Sequence, residues 1–304
     1  MGTKLNRREF IRNGALIIAG LSFLPSWASP SRKLRFGWVT DIHYAEAPVK
    51  WGRYYSEGVF KLKEAVNLFN SENVTFAIET GDLKDQSELP VEKETLGYLK
   101  KIENEFAQFK GPRYHVLGNH DLDSLSKEQF MSHVENTGID KSKTYYFFEH
   151  AGFRFVVLDA CFKSNGADYD HDNFDYRDTI IPQEEILWLA DVLKKSDKPV
   201  VIFVHQLLDG EGDLYINNAS AVRDVLKASG NVAAVFQGHH HDGGAKVIDG
   251  ILYYTLKALV EGSGAANNSY AIVNLDTDGE ITIEGYRKAE GYEYVSSQEK
   301  ILAM

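Results

Sequence analysis

Short apolar segments recur along the chain from Leu34 onward, and each ends in polar or charged residues. These segments are rich in β-branched and aromatic residues, and a run of that kind is typical of a buried strand. The segments are LRFGWVTD, VTFAIETGD, RYHVLGNHD, FRFVVLDA, PVVIFVHQ and VAAVFQGHHH. The pattern therefore predicts a sheet protein in which polar side chains gather where the strands end.

Helical spacing separates several of these strands. In SEGVFKLKEAVNLFNSEN, QEEILWLADVLKKS and ASAVRDVLKASG, apolar residues recur three and four positions apart. The first helix is expected to start at Ser56 and Glu57, the second to follow Pro182, and the third to end at Gly230. Alternating strands and helices predict crossover units and a mixed α/β fold.

The remaining segments predict antiparallel structure and a single domain. TYYFFEHAGFRFVVLD is expected to form a hairpin at Ala151–Gly152, and ILYYTL with SYAIVNLDTDGEITIEGY predicts further strands joined by an Asp-Gly turn. No repeat and no long linker interrupts residues 29–304, which predicts one domain. The longest polar insertion, residues 163–181, is typical of either a functional or a disordered loop. Its aspartates and His171 favour a solvated face over a third metal site.

The N-terminal segment has the composition of an export signal. Basic NRREFIRNG precedes the apolar stretch ALIIAGLSFLPSWAS, and small residues follow near Ala28. This stretch is too short for a permanent membrane anchor, so residues 1–28 predict a signal peptide. Arg7–Arg8 followed by Phe10 resembles the twin-arginine signal, which implies the twin-arginine export machinery as a partner and a periplasmic or secreted protein. An ordinary signal peptide or an uncleaved anchor is the alternative.

Composition narrows the function classes. With 43% hydrophobic and 25% charged residues, the chain can bury a sizeable core, and its formal net charge of −11 argues against a nucleic-acid partner. An anionic substrate would need a local positive charge, which bound metal supplies. Cys161 is the only cysteine, so an internal disulfide and a thiolate zinc site are excluded.

The strand ends carry a set of metal-binding residue types. Ligands of open α/β sheets collect at the carboxyl ends of strands. The candidates at these ends are Asp41, His43, Asp82, Asn119, His120, Asp121, His205, His239 and His241. Carboxylates, imidazoles and an amide oxygen without sulfur suit Mn, Fe or Zn in open coordination. The ligands are too many for one ion and suit two ions that share a carboxylate, for which Asp82 is the natural bridge.

Strand alternation predicts how these side chains point. In an extended backbone, residues two apart lie on the same side. Asp41 is therefore expected to pair with His43, and His239 with His241, while His240 points elsewhere. A glycine before three of the ligands leaves room for close approach.

Each motif alone is weak, because a single strand-end histidine or the aspartate of a TGD turn is more often structural. The ordered set D-x-H, G-D-x-x-D, G-N-H-D, a lone histidine and G-H-x-H resembles the calcineurin-like metallophosphoesterase superfamily. The resemblance covers essentially the whole chain after the signal segment. It implies a four-layer α/β/β/α sandwich and a phosphohydrolase that uses a metal-bridging hydroxide.

The resemblance also implies residue roles. One ion would be held by Asp41, His43, Asp82 and His241. The other would be held by Asp82, Asn119, His205 and His239. His120 would be the acid that meets the leaving group, oriented by Asp121, with Asp85 in a supporting position.

A narrower resemblance concerns the substrate. RYYSEGVFKLKEAVNLFN, YYFF with GFRFVVLDA, and GHHHDGG resemble manganese-dependent ADP-ribose/CDP-alcohol diphosphatases, which implies a small nucleoside-diphosphate-linked substrate. That branch carries a glutamine at the position of His43, which leaves the metal preference and the substrate class open. A class III cyclic-nucleotide phosphodiesterase, a broad phosphomonoesterase and a non-catalytic scaffold are the alternatives.

Three residues after the first motif are candidates for substrate contact. Arg53 could bind a phosphate, and Tyr54 and Tyr55 could offer a stacking face. Packing at the helix entry is an equally good interpretation of the two tyrosines.

Overall fold

Two six-stranded sheets form the centre of the computed structural model, which describes residues 33–295. The strands are Lys33–Val39 (β1), Phe76–Glu79 (β2), Arg113–His115 (β3), Tyr146–His150 (β4), Phe153–Val157 (β5), Val200–Phe203 (β6), Val232–Gln237 (β7), Gly244–Ile248 (β8), Ile251–Thr255 (β9), Ser269–Asp276 (β10), Glu280–Arg287 (β11) and Tyr292–Val295 (β12). The α-helices are Gly58–Ser71 (α1), Glu92–Phe106 (α2), Lys127–His133 (α3), Gln183–Lys194 (α4) and Ala219–Ser229 (α5).

Each sheet has a parallel centre. In the first sheet the order is β12-β11-β10-β1-β2-β3, where β1, β2 and β3 run parallel and β10 to β12 are antiparallel. In the second the order is β4-β5-β6-β7-β9-β8, with β5, β6, β7 and β9 parallel and β4 and β8 antiparallel at the edges. The predicted crossover units and antiparallel tail are both present.

The core lies in three layers of side chains. Aromatic rings fill the space between the sheets, where Phe36 stacks on Phe76 at 4.9 Å and meets Phe203 edge-on at 5.6 Å. Helices α1, α2 and α3 bury their apolar faces on the first sheet, and α4 and α5 cover the second. The four-layer α/β/β/α prediction is therefore confirmed.

The local predictions hold, with one correction. The hairpin turns at Ala151–Gly152, α4 follows Pro182, and Gly230 closes α5 in the left-handed conformation at φ 71°. Helix α1, however, begins at Gly58, after a 3₁₀ turn, and no side chain caps it. The Glu57 carboxylate instead accepts hydrogen bonds from distant residues 263 and 264, a contact that local pattern does not contain.

The polar insertion at 163–181 packs against the rest of the molecule. Tyr169 is fully buried, and its hydroxyl donates to the carbonyl oxygens of Asp175 and Asp178 at 3.1 and 2.9 Å. Lys127 of α3 pairs with Asp168 at 2.8 Å. The insertion is thereby fixed against the face that carries the strand ends.

The predicted signal segment, residues 1–28, lies outside the described residues. The described residues fall within one compact unit. Among residues 33–295, no helix combines the length and the apolar character that a bilayer span requires.

A buried ionic cluster joins β2, β3 and α2. The ring of His115 lies 3.1 Å from a carboxylate oxygen of Glu103 and 3.5 Å from one of Glu79, and all three side chains are buried. Burial lowers the pKa of His115, but the two carboxylates outweigh it and raise the pKa to about 9. The folded protein therefore holds a proton on His115 at pH values where the unfolded chain has lost it.

This cluster predicts a pH-dependent stability. A raised histidine pKa contributes stability that is complete below about pH 6.5 and is lost as the pH rises through about 9. We expect the free energy of unfolding of the wild type to fall by a few kcal/mol more than that of His115→Gln between these limits, on the order of 1.4 kcal/mol per pKa unit. Denaturant titrations at pH 6 and pH 9.5 measure this difference, and identical pH slopes for the two proteins would contradict it.

Candidate metal centre

The strand ends of both sheets meet at one edge of the sandwich. Loops after β1, β2 and β3 of the first sheet face loops after β6 and β7 of the second. The side chains gathered there are Asp41, His43, Asp82, Asp85, Asn119, His120, His205, His239 and His241. The predicted metal ligands are thus brought together by the fold.

The first group consists of Asp41, His43 and His241. The Nε2 atoms of His43 and His241 lie 3.2 Å apart, and Asp41 Oδ1 lies 3.4 Å from His241 Nε2 and 3.8 Å from His43 Nε2. The Nδ1 atom of His43 is 3.1 Å from Asp85, and that of His241 is 2.6 Å from Glu261. Since a carboxylate fixes the proton on each Nδ1, two Nε2 lone pairs converge, and a cation between them relieves the repulsion.

The second group contains Asp82, His205, His239 and Asn119. His205 Nδ1 donates to the Thr80 carbonyl at 2.8 Å, which leaves its Nε2 as an acceptor. His205 Nε2, His239 Nε2 and Asn119 Oδ1 are all buried without a hydrogen-bond partner among the described residues. Buried polar atoms without partners are rare, and three in one place fit the ligands of a second cation.

Asp82 joins the two groups. Its Oδ2 lies 3.4 Å from His43 Nε2 on one side and 3.2 Å from His205 Nε2 on the other. Its Oδ1 accepts the backbone N–H of His120 at 2.7 Å, which fixes the carboxylate plane. From this position between the groups, Asp82 would be able to hold a cation on either side.

The electrostatics of the site favour bound positive charge. Burial opposes ionisation of Asp82, but the charges of His205 and His43 outweigh it and hold the pKa of its carboxyl well below the usual range. Burial also lowers the pKa of His205, yet Asp82 raises it to about 10, so a cation bound at its Nε2 would displace a proton. His239 is different, because burial and the neighbouring His205 lower its pKa to about 3 and keep its lone pair free for a metal. The donor set of carboxylates, imidazoles and one amide suits two divalent cations.

The alternation argument from the sequence is wrong for these loops. Asp41, His43, Asp82 and His239 all have left-handed backbones, with φ between 47° and 67°, so their loops are not extended. Asp41 and His43 do meet, but His239 and His241 face different groups. The ligands are aimed by tight turns after the strands.

Glycine is required beside the ligands because the backbones approach each other closely. A Cβ at Gly118 would lie 2.2 Å from the Asp82 nitrogen, and one at Gly238 would lie 2.2 Å from Thr40 Oγ1. Thr40 Oγ1 in turn donates to Asp41 at 2.7 Å, so the second collision would displace a ligand. The expectation that these glycines leave room for close approach is confirmed, and a side chain at either position would collide with a neighbouring loop.

His120 lies beside the metal ligands without belonging to the unpartnered set. Its Nδ1 atom is 3.6 Å from Asp85 Oδ2, and its ring contacts the His43 ring edge-on at 4.9 Å. Burial lowers the pKa of His120, but the charges of Asp85 and Asp82 raise it to about 9. Its position beside Asp85 is one from which an imidazole can donate a proton to a leaving group.

The expected role of Asp121 is wrong. Its carboxylate accepts backbone N–H groups of Asp82, Leu83 and Gly118, each at 2.9 Å, and so holds two site loops together. Asp85 takes the orienting position beside His120 instead. The reason is that His120 and Asp121 are the first two residues of a 3₁₀ turn, which directs their side chains apart.

The three candidate substrate residues have different surroundings in the structure. Arg53 is partly exposed beside the site, with Nε 3.8 Å from Glu261. Tyr55 is buried in a small apolar cluster yet reaches the cavity wall, and Tyr54 immediately precedes the 3₁₀ turn. The packing interpretation therefore describes Tyr55, while Arg53 remains available to a substrate.

Two site residues were not predicted from the sequence. Glu261 orients His241, and Phe174 of the insertion packs its ring 5.4 Å from that of His120. Glu261 belongs to no motif, and Phe174 lies in a segment interpreted only by its charge. Both come from loops distant in sequence from the residues that they contact.

The match to a family model decides the classification. The model described as calcineurin-like phosphoesterase matches residues 34–243, which include every candidate metal ligand. The chain belongs to this family. The family resemblance indicated by the ordered motifs is therefore confirmed.

Individual relatives extend the likeness along the chain. A rice protein named manganese-dependent ADP-ribose/CDP-alcohol diphosphatase is 29% identical over 270 residues, covering 74% of this chain and 83% of the rice protein. A human protein of the same name is 24% identical over 292 residues, covering 77% and 84%. A dimetal phosphatase structure from Danio rerio superposes with a TM-score of 0.75 at 22% identity, covering 87% of this chain and 99% of that one, and shows the same fold.

This calcineurin-like phosphoesterase is a hydrolase that acts on phosphoester or diphosphate bonds. Its cofactors are two divalent metal ions, in agreement with the two groups of histidine and aspartate ligands.

Proposed function

We propose that this enzyme cleaves the diphosphate bond of small nucleoside-diphosphate-linked molecules and uses manganese. The relatives named above support the substrate class and the metal. The ligands are oxygen and nitrogen atoms without sulfur, a set that accommodates manganese as well as iron or zinc.

The observation that carries this proposal is a cationic wall beside the metal centre. A cavity of about 900 Å³ opens on His239 and His241, and Arg53, Lys257 and Lys288 line it. Asp242 and Glu261 also line it, so its three cations outnumber its two carboxylates, in contrast to the formal net charge of −11 of the whole chain. Such a wall suits a substrate with a second phosphate beyond the one that is attacked.

The chain's own residues complete the chemistry. When bound, two divalent ions activate a water, hold phosphate oxygens and offset the charge of the in-line transition state. His120, held beside Asp85, is placed to donate a proton to the departing oxygen. The wall residues hold the other phosphate and set the orientation of the substrate.

A substrate panel tests the proposal. The full chain with Mn²⁺ is offered ADP-ribose, CDP-choline, a cyclic nucleotide, bis-p-nitrophenyl phosphate and p-nitrophenyl phosphate. We expect efficient release of AMP or CMP from the first two. Preferred turnover of the cyclic nucleotide would favour the phosphodiesterase alternative, and turnover of only the nitrophenyl esters would contradict a diphosphatase.

The cationic wall gives a sharper prediction. We expect Lys257→Met to raise KM for CDP-choline about tenfold relative to p-nitrophenyl phosphate, since a charged hydrogen bond contributes about 1.5–3 kcal/mol. Lys63→Met, at an exposed position of α1, is the matched control. Equal KM changes for both substrates would mean that Lys257 does not contact a second phosphate.

We further propose that residues 1–28 direct export to the periplasm by the twin-arginine route. The Arg7–Arg8 pair, Phe10 and the apolar stretch that follows support it. In a bacterial host, the double change of both arginines to lysine should leave the active enzyme in the cytoplasm. An unchanged periplasmic amount in fractionated cells would contradict twin-arginine export.

A further inference from the structure

The Lys61 side chain of α1 is fully buried, and its ammonium is hydrogen-bonded to one loop. It donates to the carbonyl oxygens of Leu259 and Gly262 at 2.9 and 2.7 Å, and to that of Glu261 at 3.5 Å. An ammonium has three donors, so the three carbonyls satisfy it. Removing a charged amine from water opposes folding. Lys61 is therefore a costly side chain for packing alone, and we call residues 258–264, which it holds, the anchored loop.

Glu57 holds the other end of the anchored loop. Its carboxylate accepts the hydroxyl of Ser263 and the backbone N–H of Gly264, both at 2.8 Å. Glu57 and Lys61 are one helical turn apart, a spacing that places two side chains on the same side of a helix. The start of α1 therefore fixes the anchored loop from both of its ends.

The anchored loop also contacts the first group of metal ligands. The Val260 N–H donates to the carbonyl oxygen of Asp41 at 3.1 Å. The Ala258 N–H donates to the carbonyl oxygen of His241 at 3.0 Å, and the Glu261 carboxylate lies 2.6 Å from His241 Nδ1. One loop thus supports two of the three residues of the first group.

Ligands of the second group have other supports. His205 Nδ1 donates to the Thr80 carbonyl oxygen at 2.8 Å. The His120 N–H donates to Asp82 Oδ1 at 2.7 Å, and Asn119 immediately precedes the 3₁₀ turn that follows β3. A shift of the anchored loop would therefore displace ligands of the first group and leave these three residues of the second group in place.

We propose that Lys61 and Glu57 are positioning residues of the metal centre, which hold Glu261 against His241 through the anchored loop and so set the affinity for the ion of the first group. A carboxylate at Nδ1 fixes the ring of a metal-binding histidine and makes its Nε2 a better ligand. The inference goes beyond the proposed function, because it concerns the metal ions and holds for any substrate class.

Titration of the metal-free full chain with Mn²⁺ tests the proposal without requiring turnover. Calorimetry gives the two affinities, and electron paramagnetic resonance distinguishes a magnetically coupled pair of ions from a single ion. We expect Glu261→Gln to weaken one site about 10–100-fold and leave the other unchanged, the usual cost of losing the partner of a metal-binding histidine. Lys61→Met, which keeps most of the side-chain length, should weaken the same site about tenfold. Lys63→Met, at an exposed position of α1, is the matched control and should bind both ions as the wild type does.

The double variant Lys61→Met/Glu261→Gln separates positioning from general destabilisation. Two residues of which one acts through the other have non-additive effects. We therefore expect Lys61→Met to weaken the site by less than about twofold once residue 261 is glutamine. The same tenfold loss in both backgrounds would overturn the proposal, as would an equal loss of affinity at both sites.

Glu57→Ala gives the test if Lys61→Met does not fold, because Glu57 is only partly buried. The folded variant should weaken the same site severalfold, and two unchanged affinities would overturn the proposal. Hydrolysis of CDP-choline tests the proposed function separately, since the Mn²⁺ titration involves no substrate.

Discussion

Asp82→Asn is expected to bind neither metal ion stoichiometrically and to lose activity by at least about 10³-fold, since the metal centre supplies several kcal/mol of transition-state stabilisation. The physical reason is the position of Asp82 Oδ2, 3.4 Å from His43 Nε2 and 3.2 Å from His205 Nε2. Asparagine keeps the volume and the Oδ1 acceptor for the His120 N–H, but it removes the negative charge that would hold a cation on either side. Elemental analysis after gel filtration and kcat/KM for bis-p-nitrophenyl phosphate measure the two effects.

His240→Ala is the matched control, because His240 belongs to the same histidine run but to neither ligand group among the described residues. We expect this variant to keep both ions. Two tightly bound ions in Asp82→Asn would show that Asp82 does not bridge. Loss of an ion in His240→Ala would mean that the ligands of the histidine run are assigned wrongly.

His120→Gln is expected to keep both ions and to lose about 10²–10⁴-fold in kcat, the usual contribution of a general acid. The loss should be greater for phenyl phosphate than for p-nitrophenyl phosphate, because the poorer leaving group depends more on the proton. Asp85→Asn should show the same dependence on the leaving group with a smaller loss, since Asp85 lies 3.6 Å from His120 Nδ1 and acts by positioning the ring. Steady-state kinetics on the two esters, with metal content measured in parallel, gives the answer.

Equal losses on the two esters would remove the acid role from His120 and leave it a role in binding the phosphate. Metal loss in His120→Gln would make it a ligand instead. The structure gives a reason to measure the metal content of His120→Gln, because His120 lies near His43 and Asp82 in one of the groups able to hold a cation.

The sequence did not identify which aspartate, Asp85 or Asp121, lies beside His120. Both are aspartates three residues or fewer from a site residue, and the sequence favoured the immediate neighbour of His120. In the fold, Asp121 binds the backbone N–H groups of the Asp82 loop, whereas Asp85 reaches both His43 and His120 from another loop. Nearness in sequence does not determine which side chains meet across a cleft.

The backbone conformation of the ligand loops was also not predicted from the sequence. Period-two alternation holds only for extended chain, and Asp41 and His43 both have positive φ. Their side chains converge because the loop after β1 is hydrogen-bonded to the loop after β2, from Gly81 to Leu83. Tertiary hydrogen bonds, absent from any local pattern, set these dihedral angles.

The sequence by itself predicted a mixed α/β fold and the strand ends at which the candidate ligands gather, because apolar periodicity and strand-end polarity are local properties of the chain. The four layers and the allocation of ligands to two ions were implied by the family resemblance of the ordered motifs. Only the tertiary structure decided that Asp82 lies between two ligand groups, that Glu261 and Asp85 orient the histidines, and that Phe174 packs beside His120. Those features depend on contacts between loops far apart in sequence, and such contacts arise only when the two sheets pack together.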